Sequence, residues 1–175
     1  PIYQKLKDQG AIYAESFGWE RPKYFAKQGE AEVYSFRRTN TFGPVAEECR
    51  AVRERVGVLD LSSFAKFDVS GPDAEAMLNR LCANRMPTRP GGVALAHMLT
   101  RDAMIESEVT VTRLADDRFY VLSAAVGELH DLDMLVQGKL DSEDVTIENI
   151  SDDYGMLVLT GPRAREVLAK VTDAG

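Results

Sequence analysis

Two glutamates raise the first chemical question. Glu106 and Glu108 lie in Ile105–Thr112 (IESEVTVT), where apolar and polar residues alternate strictly. Alternation is the period of a half-buried strand, whose side chains point by turns to opposite faces. Ile105, Ser107, Val109 and Val111 then share one face, and Glu106, Glu108, Thr110 and Thr112 the other. On a wet face such carboxylates are solvated charges. Lining a cleft, they become candidates for proton chemistry. The other reactive types offer less. His130 stands among Glu128, Asp131 and Asp133 and reads as a lone surface histidine rather than a ligand. Cys49 and Cys82 have no close Cys or His neighbours, so they make no metal site; both fall on amphipathic stretches and read as buried thiols. Gly71-Pro72 and Gly161-Pro162 each open a helix, but the proline removes an N–H that a phosphate would use, and neither glycine-rich fingerprint is present. No H-E-x-x-H, G-x-S-x-G or spaced Cys/His cluster occurs.

The elements that must position the glutamates follow from pattern. Val93–Leu99 (VALAHML) is an apolar run, Thr100–Met104 a turn, and Phe119–Leu122 a return run after the Ala115-Asp116-Asp117 turn. With Ile105–Thr112 this predicts a meander of three antiparallel strands. Upstream, the spacing predicts a helix over Pro44–Val56 with Val45, Cys49, Val52 and Val56 as its apolar stripe and Gly57 as its stop. Strands are expected at Val58–Leu61 and Phe64–Ser70. A helix follows Gly71-Pro72, with Ala74, Met77, Leu78 and Leu81 inward, and Asn84–Gly92 is a loop. Downstream come a helix from Val126 to Val136 with Leu129, Leu132, Leu135 and Val136 inward, strands at Val145–Ile150 and Gly155–Thr160, and a helix at Pro162–Val171.

A repeat links the two Gly-Pro turns. DVSGPDAEAML, from Asp68, resembles VLTGPRAREVL, from Val158, at an offset of 90 residues. Each copy is a strand, a turn and a helix, a period too long for a solenoid unit. The expected fold class is α+β, with antiparallel sheets and flanking helices. Residues 1–43 read as an aromatic-rich arm: nine of the fourteen aromatics precede Gly43 without a sustained period of 2 or 3.6. Residues 44–140 then form a first α+β unit, and 141–175 the start of a second, related one that is truncated.

Composition narrows the setting. At 175 residues, with 45% apolar and 28% charged residues, the chain has globular values. It could hide about 70% of its unfolded surface. A net charge of −7 argues against nucleic acid or an anionic membrane as partner. No run of about 18 apolar residues predicts a membrane span, and PIYQKLKDQG lacks the apolar core of a secretory signal. Two unpaired cysteines fit a cytoplasmic or mitochondrial-matrix location.

Arg53–Asn84 (RERVGVLDLSSFAKFDVSGPDAEAMLNRLCAN), the meander from Val93, and DYGMLVLTGPRAREVL from Asp153 together resemble the folate-binding domain of the glycine-cleavage T-protein (aminomethyltransferase), over roughly residues 33–172. Tyr13–Phe25 (YAESFGWERPKYF) and Val33–Arg53 (VYSFRRTNTFGPVAEECRAVR) resemble the dimethylglycine and sarcosine dehydrogenases, in which an FAD-binding domain precedes a T-protein-like domain. The resemblance implies that this chain is the first part of such a folate domain, with the aromatic arm packed toward the flavin domain. It implies that FAD in that domain oxidises an N-methyl amine. Tetrahydrofolate in this one captures the released carbon as 5,10-methylenetetrahydrofolate. Family members carry an aspartate in a motif like I-x-D-D-L or I-x-S-D-L. The matching positions here are Ser107 and Glu108, which makes Glu108 the candidate catalytic carboxylate and Ser107 a candidate folate contact. His97, Met98 and Leu99 match a strand that approaches folate, and Asn84 a loop position near it. Three departures accompany the match. Glu108 is longer than aspartate by one methylene, about 1.5 Å, and a shift of about 1 Å can cost roughly a hundredfold in rate. Ala103-Met104 replaces a Gly-Gly turn, and Ser123-Ala124 stands where the T-protein branch has asparagine. Two alternatives remain open: a free-standing aminomethyltransferase, which Trp19-Glu20-Arg21-Pro22 argues against, and a non-catalytic folate-binding module.

Overall fold

The structure, a computed structural model, describes residues 2–27 and 30–173. The chain divides into two compact units: Ser62–Gly155, and the residues up to Leu61 together with those from Met156 on. The divisions fall at 61/62 and 155/156, not at the expected 43/44 and 140/141. The cause is strand pairing that joins distant parts of the chain.

The inner unit, 62–155, holds a five-stranded antiparallel sheet ordered β5-β6-β7-β4-β8. Its strands are β4 (Ala65–Ser70), β5 (Val93–Leu99), β6 (Ile105–Ala115), β7 (Arg118–Ser123) and β8 (Thr146–Asn149). The predicted meander is β5-β6-β7. One face carries Phe67, Val69, Ala96, Met98, Val109, Val111, Phe119 and Val121, all buried. Two helices supply the rest of that core: α3 (Ala74–Leu81) through Ala74, Met77 and Leu78, and α4 (Glu128–Gly138) through Leu135. The stripe of α3 is the expected one. That of α4 is turned: Leu129 is 79% exposed and Val136 also faces out, while Asp131 is 2% exposed. A carboxylate can take the inward place because Ser123 at the end of β7 donates its hydroxyl to it.

Lys66 of β4 is fully buried. Its ammonium donates to the carbonyl oxygens of Ser62, Phe64 and Ser151 at 2.8, 2.8 and 3.1 Å. An ammonium leaves water only where its donors are met; here it ties the start of β4 to the turn after β8.

Among the described residues the outer unit contains a hairpin, three helices and a two-stranded sheet. The arm expected to lack regular structure forms α1 (Ile2–Asp8), β1 (Ala11–Ser16) and β2 (Trp19–Phe25). Ser16 pairs with Trp19 across Phe17 (φ 55°) and Gly18 (φ 82°). Two positive-φ residues at a two-residue loop match the twist of the flanking strands. Ile12 pairs with Tyr24 and Tyr13 with Pro22, so Lys23 is the extra residue of a bulge in β2 and breaks that strand's alternation. Residues 30–41 form no helix or strand, and Tyr34 and Phe36 are exposed. Helix α2 (Phe42–Glu54) buries none of its residues, so Cys49 is exposed rather than buried, whereas Cys82 is buried as expected.

The sequence repeat is also a repeat in space. β3 (Gly57–Asp60) precedes β4 as β8 precedes β9 (Leu157–Thr160), which leads into α5 (Ala164–Leu168). The partners are exchanged: β4 pairs with β8, and β9 with β3, both antiparallel. The Gly-Pro turns pack alike. Gly71 has φ +131° and lies against the Asp144 carbonyl; Gly161 has φ +119°, and a Cβ there would sit 2.7 Å from the Arg55 carbonyl oxygen. Asp73 N donates to Asp144 O, and Arg163 N to Arg55 O. Each residue pair keeps the 90-residue offset to within one residue.

Candidate functional site

The face of the five-stranded sheet opposite α3 and α4 carries the candidate site. Cross-strand register places its residues in rows. Val93, Thr112, Tyr120, Asp68 and Glu148 form one, and Leu95, Thr110, Leu122 and Lys66 the next. His97 and Glu108 form the third, on β5 and β6. Val93 and Leu95 are 62% and 53% exposed. An edge of the sheet thus offers apolar side chains beside an acid and an imidazole.

His97 Nε2 lies 2.9 Å from Glu108 Oε2. Directly opposed residues on antiparallel strands bring their Cβ atoms to about 5 Å, and the extra methylene of glutamate carries the carboxylate across to the neighbouring strand. Oε1 has no partner among the described residues. Asn84 follows α3 on an exposed bend beside this pair: Ala83 N donates to His97 O at 2.9 Å, and Cys82 bridges to Met98. Leu99 is exposed at the end of β5. Glu108, His97, Asn84 and Leu99 are therefore together at one end of β5.

Two expected residues do not join them. Met98 is 1% exposed and packs in the core; alternation along β5 turns its side chain away from that of His97. Ser107 is opposite Met98 and shares its face.

Glu106 does not join Glu108 either. The β5–β6 register breaks between Met98 and Leu99, so that Ser107 pairs with Met98 and Ile105 with Leu99, leaving Glu106 as the extra residue. Its Oε1 lies 3.2 Å from His130 Nε2 on α4. The other ring nitrogen, Nδ1, lies 2.9 Å from Asp131 Oδ1, and Asp131 Oδ2 accepts from Ser123. His130 is thus no lone surface histidine. Its carboxylate neighbours, Asp131 foremost, hold its pKa above the ordinary imidazole value. In the turn before β6, Ala103 itself adopts φ 61°, the conformation a glycine would take without strain.

Asp68 and Arg118, on the same face as Glu108, escape a reading by motif; Arg118 Nε meets Asp68 Oδ2 at 2.7 Å. Only the register of β4 against β7 brings them together. The outer unit has a cavity of about 450 Å³ lined by residues such as Leu6, Tyr24, Val52, Val58 and Leu157, and none of the sequence-predicted site residues lines it. Among the described residues no group of His, Cys, Asp and Glu could hold a metal ion, and no helix is long and apolar enough to cross a membrane.

The family model described as the GCVT N-terminal domain matches residues 2–175. Mitochondrial dimethylglycine dehydrogenase of Rattus norvegicus is 42% identical over 158 residues, 89% of this chain and 18% of the relative. The alpha subunit of sarcosine oxidase from Rhizobium meliloti is 30% identical over 177 residues, 99% of this chain and 17% of the relative. The chain spans about a fifth of the length of the curated relatives it matches. Among solved structures, the glycine cleavage system aminomethyltransferase T from Bartonella henselae superposes with a TM-score of 0.83, covering 100% of this chain and 44% of that one, at 23% identity. That likeness establishes the α+β fold.

Proposed function

The chain belongs to the GCVT N-terminal domain family, and on that footing we propose that it binds tetrahydrofolate on the open sheet face around Glu108, within a longer flavin-dependent dehydrogenase of dimethylglycine or sarcosine. The observation that carries the reading is the His97–Glu108 pair beside exposed Val93, Leu95 and Leu99. A reduced pterin is a flat ring with N–H donors along its edge. An acceptor carboxylate set beside apolar side chains suits both features.

Glu108 is the catalytic carboxylate of this reading. Oε2 is held by His97, so the carboxylate is oriented before any ligand arrives, and Oε1 remains to accept from a ring N–H and to take or return a proton there. His97 is the orienting group. Asn84 and Leu99 border the site, one as a polar contact and one as an apolar wall. Bound tetrahydrofolate supplies the amine nitrogens that capture the one-carbon unit, giving 5,10-methylenetetrahydrofolate. In the longer protein, an FAD-binding domain would supply the oxidation that turns the N-methyl amine into an iminium. An iminium hydrolyses in water, and a closed route to the folate face suppresses that loss. The exposed aromatics Tyr34 and Phe36 would face the flavin domain. The partners are then the methylamine, folate and that domain, in the cytoplasm or, in a eukaryote, the mitochondrial matrix. Identity of 42% to a dimethylglycine dehydrogenase favours this reading over a free-standing aminomethyltransferase.

The test is Glu108→Gln in the longer protein. Substrate-driven bleaching of the flavin spectrum should be unchanged, while trapping of the methylene group by tetrahydrofolate should fall by about 10²-fold or more, as for loss of a general acid–base. Unchanged trapping would remove Glu108 from the mechanism, and a longer protein without flavin would remove the dehydrogenase.

A further inference from the structure

The two histidines of this chain each meet one carboxylate of the same strand, Glu106 at a bulge and Glu108 two residues beyond it. On an unbroken strand Glu106 and Glu108 would share a face, close enough for like charges to oppose each other. The extra residue at the bulge releases Glu106 from the pleat, and bulges commonly re-aim a side chain in this way. Glu106 turns to α4 and His130; Glu108 stays opposite His97.

We propose that His130 is a positioning residue for Glu108: by holding Glu106 at the bulge it fixes the register in which β6 presents Glu108 to His97. Register is the sensitive quantity, because a slip of one residue sends every side chain of a strand to the other face. Here it would exchange Glu108 for Ser107 or Val109. The clasp is anchored on its far side, since Asp131 is buried and bonded to Ser123 at the end of β7. Helix α4 therefore ties β6 to β7 at the end of the sheet where Glu108 lies. The role of Glu108 as folate carboxylate rests on the reading above; the clasp itself does not.

The clasp depends on charge. Both ring nitrogens of His130 face carboxylate oxygens, at 2.9 and 3.2 Å. Only the imidazolium donates from both; neutral imidazole turns a lone pair toward one of the carboxylates. The acidic groups around it are Glu106 on β6 and, on its own helix, Asp131, Glu128 and Asp133. Glu128 is bonded to Asn149, and Asp133 to Gln137. Because the folded pKa is raised, the clasp is intact below the ordinary imidazole value of about 6.5 and is lost as pH rises through the raised one.

With two histidines the experiment is direct. Imidazole C–H resonances of this chain are followed by NMR from pH 5 to 9, with the contact between the His97 ring and the Glu108 methylenes as the measure of position. In the wild type that contact should weaken at the midpoint of the His130 titration. Glu106→Gln and His130→Gln should remove the pH step, and Glu106→Asp should restore part of it. A His97–Glu108 contact that stays constant through the His130 midpoint overturns the proposal, and this arm needs no variant to fold. Tetrahydrofolate titrated into the same samples should bind roughly tenfold more weakly in Glu106→Gln at pH 6. If tetrahydrofolate binds none of the proteins, wild type included, the folate reading fails while the resonances still decide the clasp.

Discussion

Gly71→Ala separates two costs that usually arrive together. Gly71 has φ +131°, and a Cβ there would press into the carbonyl oxygen of Asp144, on the turn that leads into β8. Gly91 has φ +80° and nothing within 4 Å of where its Cβ would be. A left-handed backbone costs an L-residue about 1–2 kcal/mol, partly offset by about 0.4–1 kcal/mol from the stiffer unfolded chain. Gly91→Ala should therefore lose about 1 kcal/mol. Gly71→Ala carries the same loss and must also move a backbone carbonyl. Relief means shifting the turn away from β4. That strains the packing by about 1–3 kcal/mol and loosens one or two β4–β8 ladder bonds worth about 1 kcal/mol each. The total is about 3–6 kcal/mol. At roughly 4–8 °C per kcal/mol for a unit of this size, the inner unit should melt at least about 12 °C lower. Amide exchange read at Val69 and Ile147 on β4 and β8, with urea unfolding alongside, would localise the loss. Equal costs for the two substitutions would show that the contact at Gly71 relaxes freely, and the packing reason for the first Gly-Pro turn would fall.

Other perturbations have equally definite outcomes. Lys66→Met keeps the apolar stem but leaves the carbonyls of Ser62, Phe64 and Ser151 short of a donor, so the urea midpoint should fall by the equivalent of about 2–4 kcal/mol; an unchanged or higher midpoint would contradict the satisfied-ammonium account. The thiols should differ sharply toward a disulfide reagent at pH 8. Cys49 is exposed, whereas burial pushes the Cys82 thiol up to about 11, leaving roughly one thiolate in a thousand. One thiol should react at once, and Cys49→Ser should abolish that phase; rapid reaction of two thiols in the native protein would mean that the β5 edge beside Cys82 opens readily.

Much of the inner unit is legible in the sequence. The alternation in Ile105–Thr112 predicts which side of β6 is buried, and α3 announces its stripe, because neither competes with another signal. The misreadings have identifiable causes. Phe17-Gly18 is a hairpin loop with only one glycine, and the bulge at Lys23 breaks the alternation of β2. Helix α4 is turned because a buried Asp131 outweighs a leucine at Leu129, which no hydrophobic pattern can foresee. Cys49 looked buried because Val45, Cys49 and Val52 form a stripe, yet α2 buries none of its residues. The His97–Glu108 pair depends on register, and the register depends on an extra residue at Glu106; the types were visible, their meeting was not. His130 was visible as a residue but not as a clasp, since its partner Glu106 lies 24 positions away.

The exchange of strands between the two repeat copies also sets a timetable for synthesis. β3 is made early, but its partner β9 starts 97 residues after β3 ends, by the positions Asp60 and Leu157. A ribosome adding about 5–20 residues per second leaves β3 waiting roughly 5–20 s. All strands of the inner sheet emerge within that interval, so the inner unit can close while the outer one still lacks its last strand. Through that wait Val58 and Leu59 are apolar and lack their β9 partners, which leaves β3 open to a chaperone.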